Sequence, residues 1–180
     1  VIFDGQGATN LFNVMATDHH IFQGLTFRNV DRVFEAGRKH LAGASNLTVR
    51  NCRFENVGEG LRTEYAGSKN FLIQDNVMIG RDDRFRVYGW AAHREGHIPY
   101  GTHLLDSYYG IKVYGSGHVI AHNSIAYFHD SIGISTYGSP EEEQELKAVS
   151  IDIYNNDLHL QVDDFVEADG GVHNIRVMRN

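Results

Sequence analysis

Short runs of alternating apolar and polar residues recur along the chain at intervals of about 24 residues. Residues 47–54 read Leu-Thr-Val-Arg-Asn-Cys-Arg-Phe, and similar runs begin at Phe71, His118 and Val149. The position of Asn76 serves as an anchor, and its equivalents are Leu25, Cys52, Tyr100, Asn123, Asn156 and Asn180. A repeat of this length predicts a solenoid of stacked units. Asparagine tolerates left-handed turns and its amides can bond along a stack, so these anchors are predicted to be structural.

A second alternating segment follows each anchor and predicts another strand per unit. Its inward side chains form two columns, Phe34, Leu61, Phe85, Ile111, Ile134 and Val166, then Ala36, Thr63, Val87, Val113, Thr136 and Ala168. The helical period of 3.6 is absent, and so are the crossover helices of an open α/β sheet. The remaining arrangement is an all-β parallel β-helix in which each rung stacks on the next.

Two segments interrupt this pattern. Residues 90–100, around the irregular Tyr100 rung, and the charged residues 139–148 are predicted to be insert loops. The rest of residues 1–180 is predicted to be a single β-helix segment. Because a solenoid requires capping rungs and none is visible, the chain is interpreted as an excerpt of a longer protein.

Residues 1–7 (Val-Ile-Phe-Asp-Gly-Gln-Gly), 117–123 and 167–177 resemble rungs of the pectate-lyase-like superfamily. The resemblance covers essentially the whole chain and implies a right-handed parallel β-helix. It also implies carbohydrate chemistry, since the superfamily includes polysaccharide lyases and glycoside hydrolases. A secreted, periplasmic or cell-surface location is expected from it. Fold alone does not select one activity.

Composition narrows the choice of partner. The formal net charge of −7 argues against nucleic acid, and no apolar run approaches the length of a membrane helix. Cys52 is the single cysteine, so no disulfide can form within the chain. Nothing in the sequence specifies an oligomeric state.

The outward side chains of the second strands carry the functional hypothesis. One outward column is Glu35, Arg62, Arg86, Lys112, Ser135 and Glu167. Rungs lie about 4.8 Å apart, so three cations would stack on one another, which favours an anionic ligand. The alternative is that Glu35, Glu64 and loop carboxylates neutralise the stripe.

The neighbouring outward column is Gly37, Glu64, Tyr88, Tyr114, Tyr137 and Asp169. Tyrosines beside cations suit an acidic, uronate-containing polysaccharide cleaved by β-elimination. The predicted catalytic residues are Lys112 as base, Arg86 as carboxylate clamp and Tyr114 as acid. The predicted substrate-binding residues are Arg62, Tyr88, Tyr137, Glu64, His93 and His103. The tyrosines could equally be a stack that stabilises the rungs.

Two other functions stay open. Glu167 and Asp169, about 7 Å apart on one strand face, could form the acid/base pair of a glycoside hydrolase. A non-catalytic glycan-binding or adhesin-like solenoid is the other. No cofactor is specified, but Ca²⁺ is an alternative at two carboxylate groups, Glu64, Asp82 and Asp83, or Asp163, Asp164, Glu167 and Asp169. The eleven histidines are dispersed and are interpreted as turn or surface residues, with His93, His97 and His103 as exceptions.

Overall fold

The computed structural model of the chain describes residues 1–81, 107–134, 147–161 and 163–180. Within these residues the regular structure consists of β-strands. The strands are β1 (Ile2–Asn13), β2 (Ile21–Gln23), β3 (Thr26–Arg38), β4 (Ala42–Gly43), β5 (Thr48–Arg50), β6 (Arg53–Thr63), β7 (Leu72–Gln74), β8 (Val77–Ile79), β9 (Tyr109–Val113), β10 (Gly115–Ser116), β11 (Val119–Ala121), β12 (Ser124–Ala126), β13 (Asp130–Ile134), β14 (Ala148–Tyr154), β15 (Asp157–His159), β16 (Val166–Glu167) and β17 (Gly171–Met178). In this part of the chain, no helix has the length and apolar character needed to cross a membrane.

The strands pair in parallel with their equivalents on the next rung. One sheet runs in the order β15-β12-β8-β6-β9-β13-β16, with β1 and β3 joined to it through β6. The other runs in the order β10-β14-β11-β7-β5-β2, with β17 on β14. Among the described strands, only β3 and β4 pair antiparallel. The predicted right-handed parallel β-helix is confirmed.

Left-handed residues turn the chain at the corners of each rung. One column of them is Gly24, Asn51, Asp75, His122, Asn155 and Arg179, each immediately before an anchor position. Another is His19, Asn46, Asn70, Gly117, Ser150 and Asn174. Asparagine tolerates this conformation, but the described anchors do not adopt it. The corner residue turns the backbone, which leaves the following side chain free to point into the rung.

The anchor asparagines form a ladder inside the solenoid. Asn76 Nδ2 donates to Asn123 Oδ1 at 2.9 Å and to Val49 O at 2.9 Å. Asn123 repeats this pattern with Asn156, and Asn156 repeats it with Asn180. Buried amides that satisfy one another in this way are structural, as predicted.

The ladder corrects the predicted rung count. Asn76 bonds directly to Asn123, 47 residues later, so the ladder has no anchor between these two; Tyr100 lies outside the described residues. The strand pairs agree, because β7 lies directly on β11 and β8 directly on β12. No other rung therefore lies between those of Asn76 and Asn123. Ser107 joins the two sides of the interval, since its Oγ accepts from Arg81 N–H at 2.6 Å and donates to Val57 O at 2.6 Å.

The second strands show a further correction. Ile132, rather than Ile134, lies between Ile111 and Val166 in the inward column. Consequently Gly133, rather than Ser135, lies between Lys112 and Glu167 in the outward column. The predicted register is therefore two residues too late on β13, although the in-and-out alternation is unchanged.

Aromatic and branched side chains fill the interior. Phe27 and Phe34 are fully buried with ring centroids 5.2 Å apart, and Phe27 is also 5.2 Å from Phe54. In the opposite sheet Val49, Ile73, Ile120 and Ile153 stack in register, all fully buried. Burying each such side chain contributes about 1.5–3 kcal/mol, so the core holds the outward faces of the strands in fixed positions.

Candidate metal centre

The predicted column of cations contains fewer stacked cations than expected, and glutamate side chains neutralise their charge. Arg62 on β6 is directly paired with Lys112 on β9, so no rung separates them for Arg86 to occupy. Arg62 reaches Glu59 Oε1 at 3.4 Å and Glu35 Oε2 at 3.8 Å, and Lys112 Nζ lies 3.6 Å from Glu64 Oε1. The alternative in which Glu35 and Glu64 neutralise the stripe is the arrangement observed.

The other predicted lyase residues are placed as follows. Tyr114 is only 3% exposed and Lys112 only 7%, so the expectation that both stand open to a substrate is wrong. Both lie close together, with Lys112 Nζ 6.0 Å from the Tyr114 ring centroid. Outside the described residues lie Asp82, Asp83, Arg86, Tyr88, His93, His97, His103 and Tyr137. Their predicted roles stay predictions.

Glu167, from the predicted acid/base pair, is tied to Tyr109. The Tyr109 hydroxyl donates to Glu167 Oε2 at 2.9 Å across Gly133. A Cβ at Gly133 would lie 2.7 Å from the Tyr109 ring, so glycine is what allows this crossing. Burial, and then the charge of Asp130, raise the pKa of Glu167 although the Tyr109 hydrogen bond lowers it. Asp169 is exposed. The hydrolase role of the pair stays a prediction.

Three side chains that could bind a metal converge at the start of β13 and just before β16. Each of His129, Asp130 and Asp163 offers one atom, a ring nitrogen or a carboxylate oxygen. These three atoms lie within 4.8 Å of one another. His129 Nδ1 is 3.0 Å from Asp130 Oδ1, and Nε2 is 3.9 Å from Asp163 Oδ2. The longer distance exceeds a hydrogen bond and suits two donors that flank one ion at about 2 Å each. Among the described residues this is the one such group.

Backbone pairing between two rungs builds the cluster. Asp163 N–H donates to His129 O at 3.0 Å, which places Asp163 directly on His129. Asp164 N–H donates to Asp130 Oδ1 at 3.1 Å, and Ser131 N–H donates to Asp164 O at 3.1 Å. The ring of Tyr108 stacks on His129 at 5.4 Å and 18°. The donors are therefore held by ladder bonds and packing, which preorganise them before any ligand arrives.

The three side chains of the cluster differ in their exposure to solvent. The side chains of His129, Asp130 and Asp163 are 18%, 5% and 45% exposed. His129 Nδ1 is enclosed yet makes no well-aligned hydrogen bond. Its neighbour is the Asp130 carboxylate, 3.0 Å away. A cation reaching the cluster from the Asp163 side would instead meet Nε2, the ring nitrogen that faces Asp163.

Negative charge dominates the local electrostatics. Burial opposes the protonation of His129, but contact with Asp130 and the charges of Asp163 and Glu167 outweigh it and raise the pKa of the imidazole. The pKa of the Asp164 carboxyl is also raised, first by burial and then by Asp163, Asp130 and Asp169. Carboxylates that repel one another in this way favour the arrival of a cation.

The sequence pattern predicts only part of this centre. Asp163 is in a carboxylate group predicted for calcium, but His129 is predicted to be a turn or surface residue and no prediction falls on Asp130. The signal that could have found them is the juxtaposition of the His129-Asp130 and Asp163-Asp164 pairs on adjacent rungs. Seeing it requires the correct register across residues 135–146.

Comparison with known proteins identifies one family. The family model described as "Periplasmic copper-binding protein (NosD)" matches residues 12–170. No curated protein matches the chain. No solved structure matches it either. The family is one of parallel β-helices, in agreement with the fold, and its periplasmic description agrees with the predicted extracytoplasmic location. Pectate-lyase-like activity gains no support from the match.

Proposed function

The chain belongs to the NosD family of periplasmic copper-binding proteins, and from this membership we propose that it is a non-catalytic β-helix that binds copper. The observation that carries the proposal is the convergence of His129, Asp130 and Asp163 within 4.8 Å. This is the binding alternative weighed from the sequence, with a metal ion in place of a glycan as ligand.

The donor chemistry fits the metal. Imidazole nitrogen suits copper, and sites of mixed nitrogen and oxygen donors bind Cu²⁺ more tightly than the other divalent ions of the first transition row. The carboxylates of Asp130 and Asp163 would offset the charge of the ion. A bound ion would supply a positive charge between two rungs and so link β13 to the segment before β16.

The surrounding residues hold these donors in place. The Asp164 amide fixes one oxygen of Asp130, and the Tyr108 ring covers one face of the imidazole. Partners of this kind orient the ligands of a metal, and their loss typically costs about 10–100-fold in affinity. Asp163 is the most exposed donor and leaves the site open to exchange with solvent or with a partner that carries copper.

Titration of the metal-free protein with Cu²⁺ tests the proposal. We expect one tight site per chain with the electron paramagnetic resonance signal of nitrogen and oxygen ligation. His129→Gln and Asp163→Asn should each weaken binding by at least about tenfold. His159→Gln is the matched control, because His159 lies 3.5 Å from Asp157 but, among the described residues, belongs to no group of three metal donors. Equal binding by the His129→Gln variant would exclude this site.

An acidic-polysaccharide lyase is the second candidate. The observation in its favour is that Lys112, Tyr109 and Glu167 share one outward face, with Lys112 Nζ 4.5 Å from the Tyr109 ring centroid. Against it, Lys112 contacts Glu64 and two tyrosine rings, partners that suit an ammonium ion rather than a neutral base. An ultraviolet assay for unsaturated uronate with alginate and pectate would detect this activity, and Lys112→Ala should abolish it.

A further inference from the structure

The sulfur atoms of the chain are all in described residues, and none of them belongs to the metal cluster. The chain has one cysteine and three methionines, which are Cys52, Met15, Met78 and Met178. The cluster itself offers imidazole nitrogen and carboxylate oxygen alone. This matters because copper has two common oxidation states with different preferences. Thioether and thiolate ligands select Cu⁺, whereas imidazole and carboxylate suit Cu²⁺.

Each sulfur has another position in the fold. Met78 on β8 is fully buried in the core, where it pairs with Phe54 and Ile125. Cys52 is 3% exposed, and its Sγ lies 3.3 Å from Arg50 O and 3.5 Å from Phe22 O, either of which can accept from its one S–H. Burial raises the pKa of its thiol. Met15 follows β1, and Met178 ends β17 in the other sheet. None of the four belongs to the group of metal donors at His129.

We propose that the His129–Asp130–Asp163 cluster is selective for Cu²⁺ and does not retain Cu⁺. The inference rests on the proposed copper-binding function and specifies the oxidation state of its ligand. Three features carry it: the nitrogen and oxygen donor set, the absence of sulfur from it, and the ladder bonds that fix the donors.

Charge acts in the same direction as donor type. Asp130 and Asp163 belong to the cluster, and Asp164 follows directly in the chain. The attraction of these carboxylates for an ion scales with its charge, so it is about twice as strong for Cu²⁺ as for Cu⁺ at the same position. At a site with two carboxylate ligands, Cu⁺ is therefore bound less strongly than Cu²⁺ for two reasons: the donors suit it less well, and its single charge is attracted less.

Competition experiments in the two oxidation states test the inference with the full chain at neutral pH. Cu²⁺ is titrated against nitrilotriacetate, and Cu⁺ against bicinchoninate under argon. We expect Cu²⁺ binding with a nitrogen–oxygen resonance signal, and Cu⁺ binding weaker by about tenfold or more. Ascorbate added with bicinchoninate should move the copper to the chelator. A gain-of-function variant, Asp163→Met, supplies one thioether at an exposed position and should raise Cu⁺ affinity while lowering Cu²⁺ affinity.

The outcomes separate the inference from the function on which it rests. Retention of Cu⁺ at least as tightly as Cu²⁺ would overturn the selectivity and leave copper binding intact. Binding of neither ion by the wild-type protein would overturn copper binding itself. Unchanged Cu⁺ affinity in Asp163→Met, with circular dichroism equal to wild type, would show that the donor set does not determine the oxidation state and would also overturn the inference.

Discussion

His118 is a buried histidine whose surroundings fix it in the neutral form. It is 1% exposed and lies inside the solenoid, with its ring centroid 4.6 Å from that of Phe71. Nδ1 accepts from Phe71 N–H at 3.1 Å, so the proton is on Nε2, which donates to Tyr114 O at 2.9 Å. Burial lowers the pKa of His118 from 6.5 to about 4, and the Tyr114 bond only partly opposes this. The expectation of a turn or surface residue is wrong here.

This burial makes the stability of the rung depend on pH. Between pH 6.5 and 4 the unfolded chain binds a proton at His118 and the folded chain does not. The contribution of His118 is therefore complete above pH 6.5 and falls by about 1.4 kcal/mol per pH unit as the pH drops. By pH 4 the loss approaches about 3 kcal/mol, and it levels off below pH 4 as the folded histidine becomes protonated too.

His118→Phe removes the titration and keeps an aromatic ring, as at Phe71 on the preceding rung. At pH 7 the variant should be less stable than wild type, because Phe71 N–H and Tyr114 C=O lose their partner. The difference should shrink by about 3 kcal/mol between pH 7 and 4, as measured by urea unfolding at each pH. His122→Gln, at an exposed corner, should keep the wild-type profile. If the free energies of unfolding of wild type and His118→Phe differed by the same amount at pH 7 and pH 4, His118 would not be the source of the pH dependence.

Three further predictions concern other parts of the fold, and urea unfolding measures each. Asn123→Ala should cost about 3–5 kcal/mol because it leaves several buried ladder groups unpaired, whereas Asn70→Ala, at an exposed corner, should cost about 1 kcal/mol. Equal losses would contradict the ladder's role. Gly133→Ala should displace the Tyr109 ring, which a Cβ would approach to 2.7 Å, and should lower the free energy of unfolding; an unchanged free energy of unfolding would argue against the crossing. Cys52→Asn should be neutral or stabilising by about 1 kcal/mol, because it extends the ladder by one rung; a loss above about 1 kcal/mol would show that the thiol packs better than an amide.

The fold was predictable because its physical signals are local and repeated. Alternation identified the strands, and asparagines about 24 residues apart identified the stacked rungs. The rung count failed for a specific reason: the 47-residue step from Asn76 to Asn123 is almost twice the normal repeat. Periodicity alone cannot distinguish one rung with a long insertion from two ordinary rungs.

The candidate site depended on contacts that alternation does not encode. Ile132 and Ile134 are both apolar and two residues apart, so either can fill the inward position without breaking the period-two pattern. Ladder bonds to β9 and β16 select Ile132. The same holds for His129 and Asp163, which meet because the backbone of Asp163 bonds to His129 O. The residue types alone do not predict that His129 and Asp163 are neighbours.

The closure at Ser107 has a consequence for how such a protein can change in length. Arg81 and Ser107 are held together by one hydroxyl, which also bonds to Val57 O on the neighbouring rung. The solenoid thus fixes the two ends of the intervening chain whatever its length. The entropic cost of closing a loop, expressed as free energy, rises by only about 0.6 kcal/mol for each doubling of the loop's length. Insertions can therefore grow, shrink or be replaced at this point in evolution at little cost to stability, while the rungs that hold His129 and Asp163 keep their register.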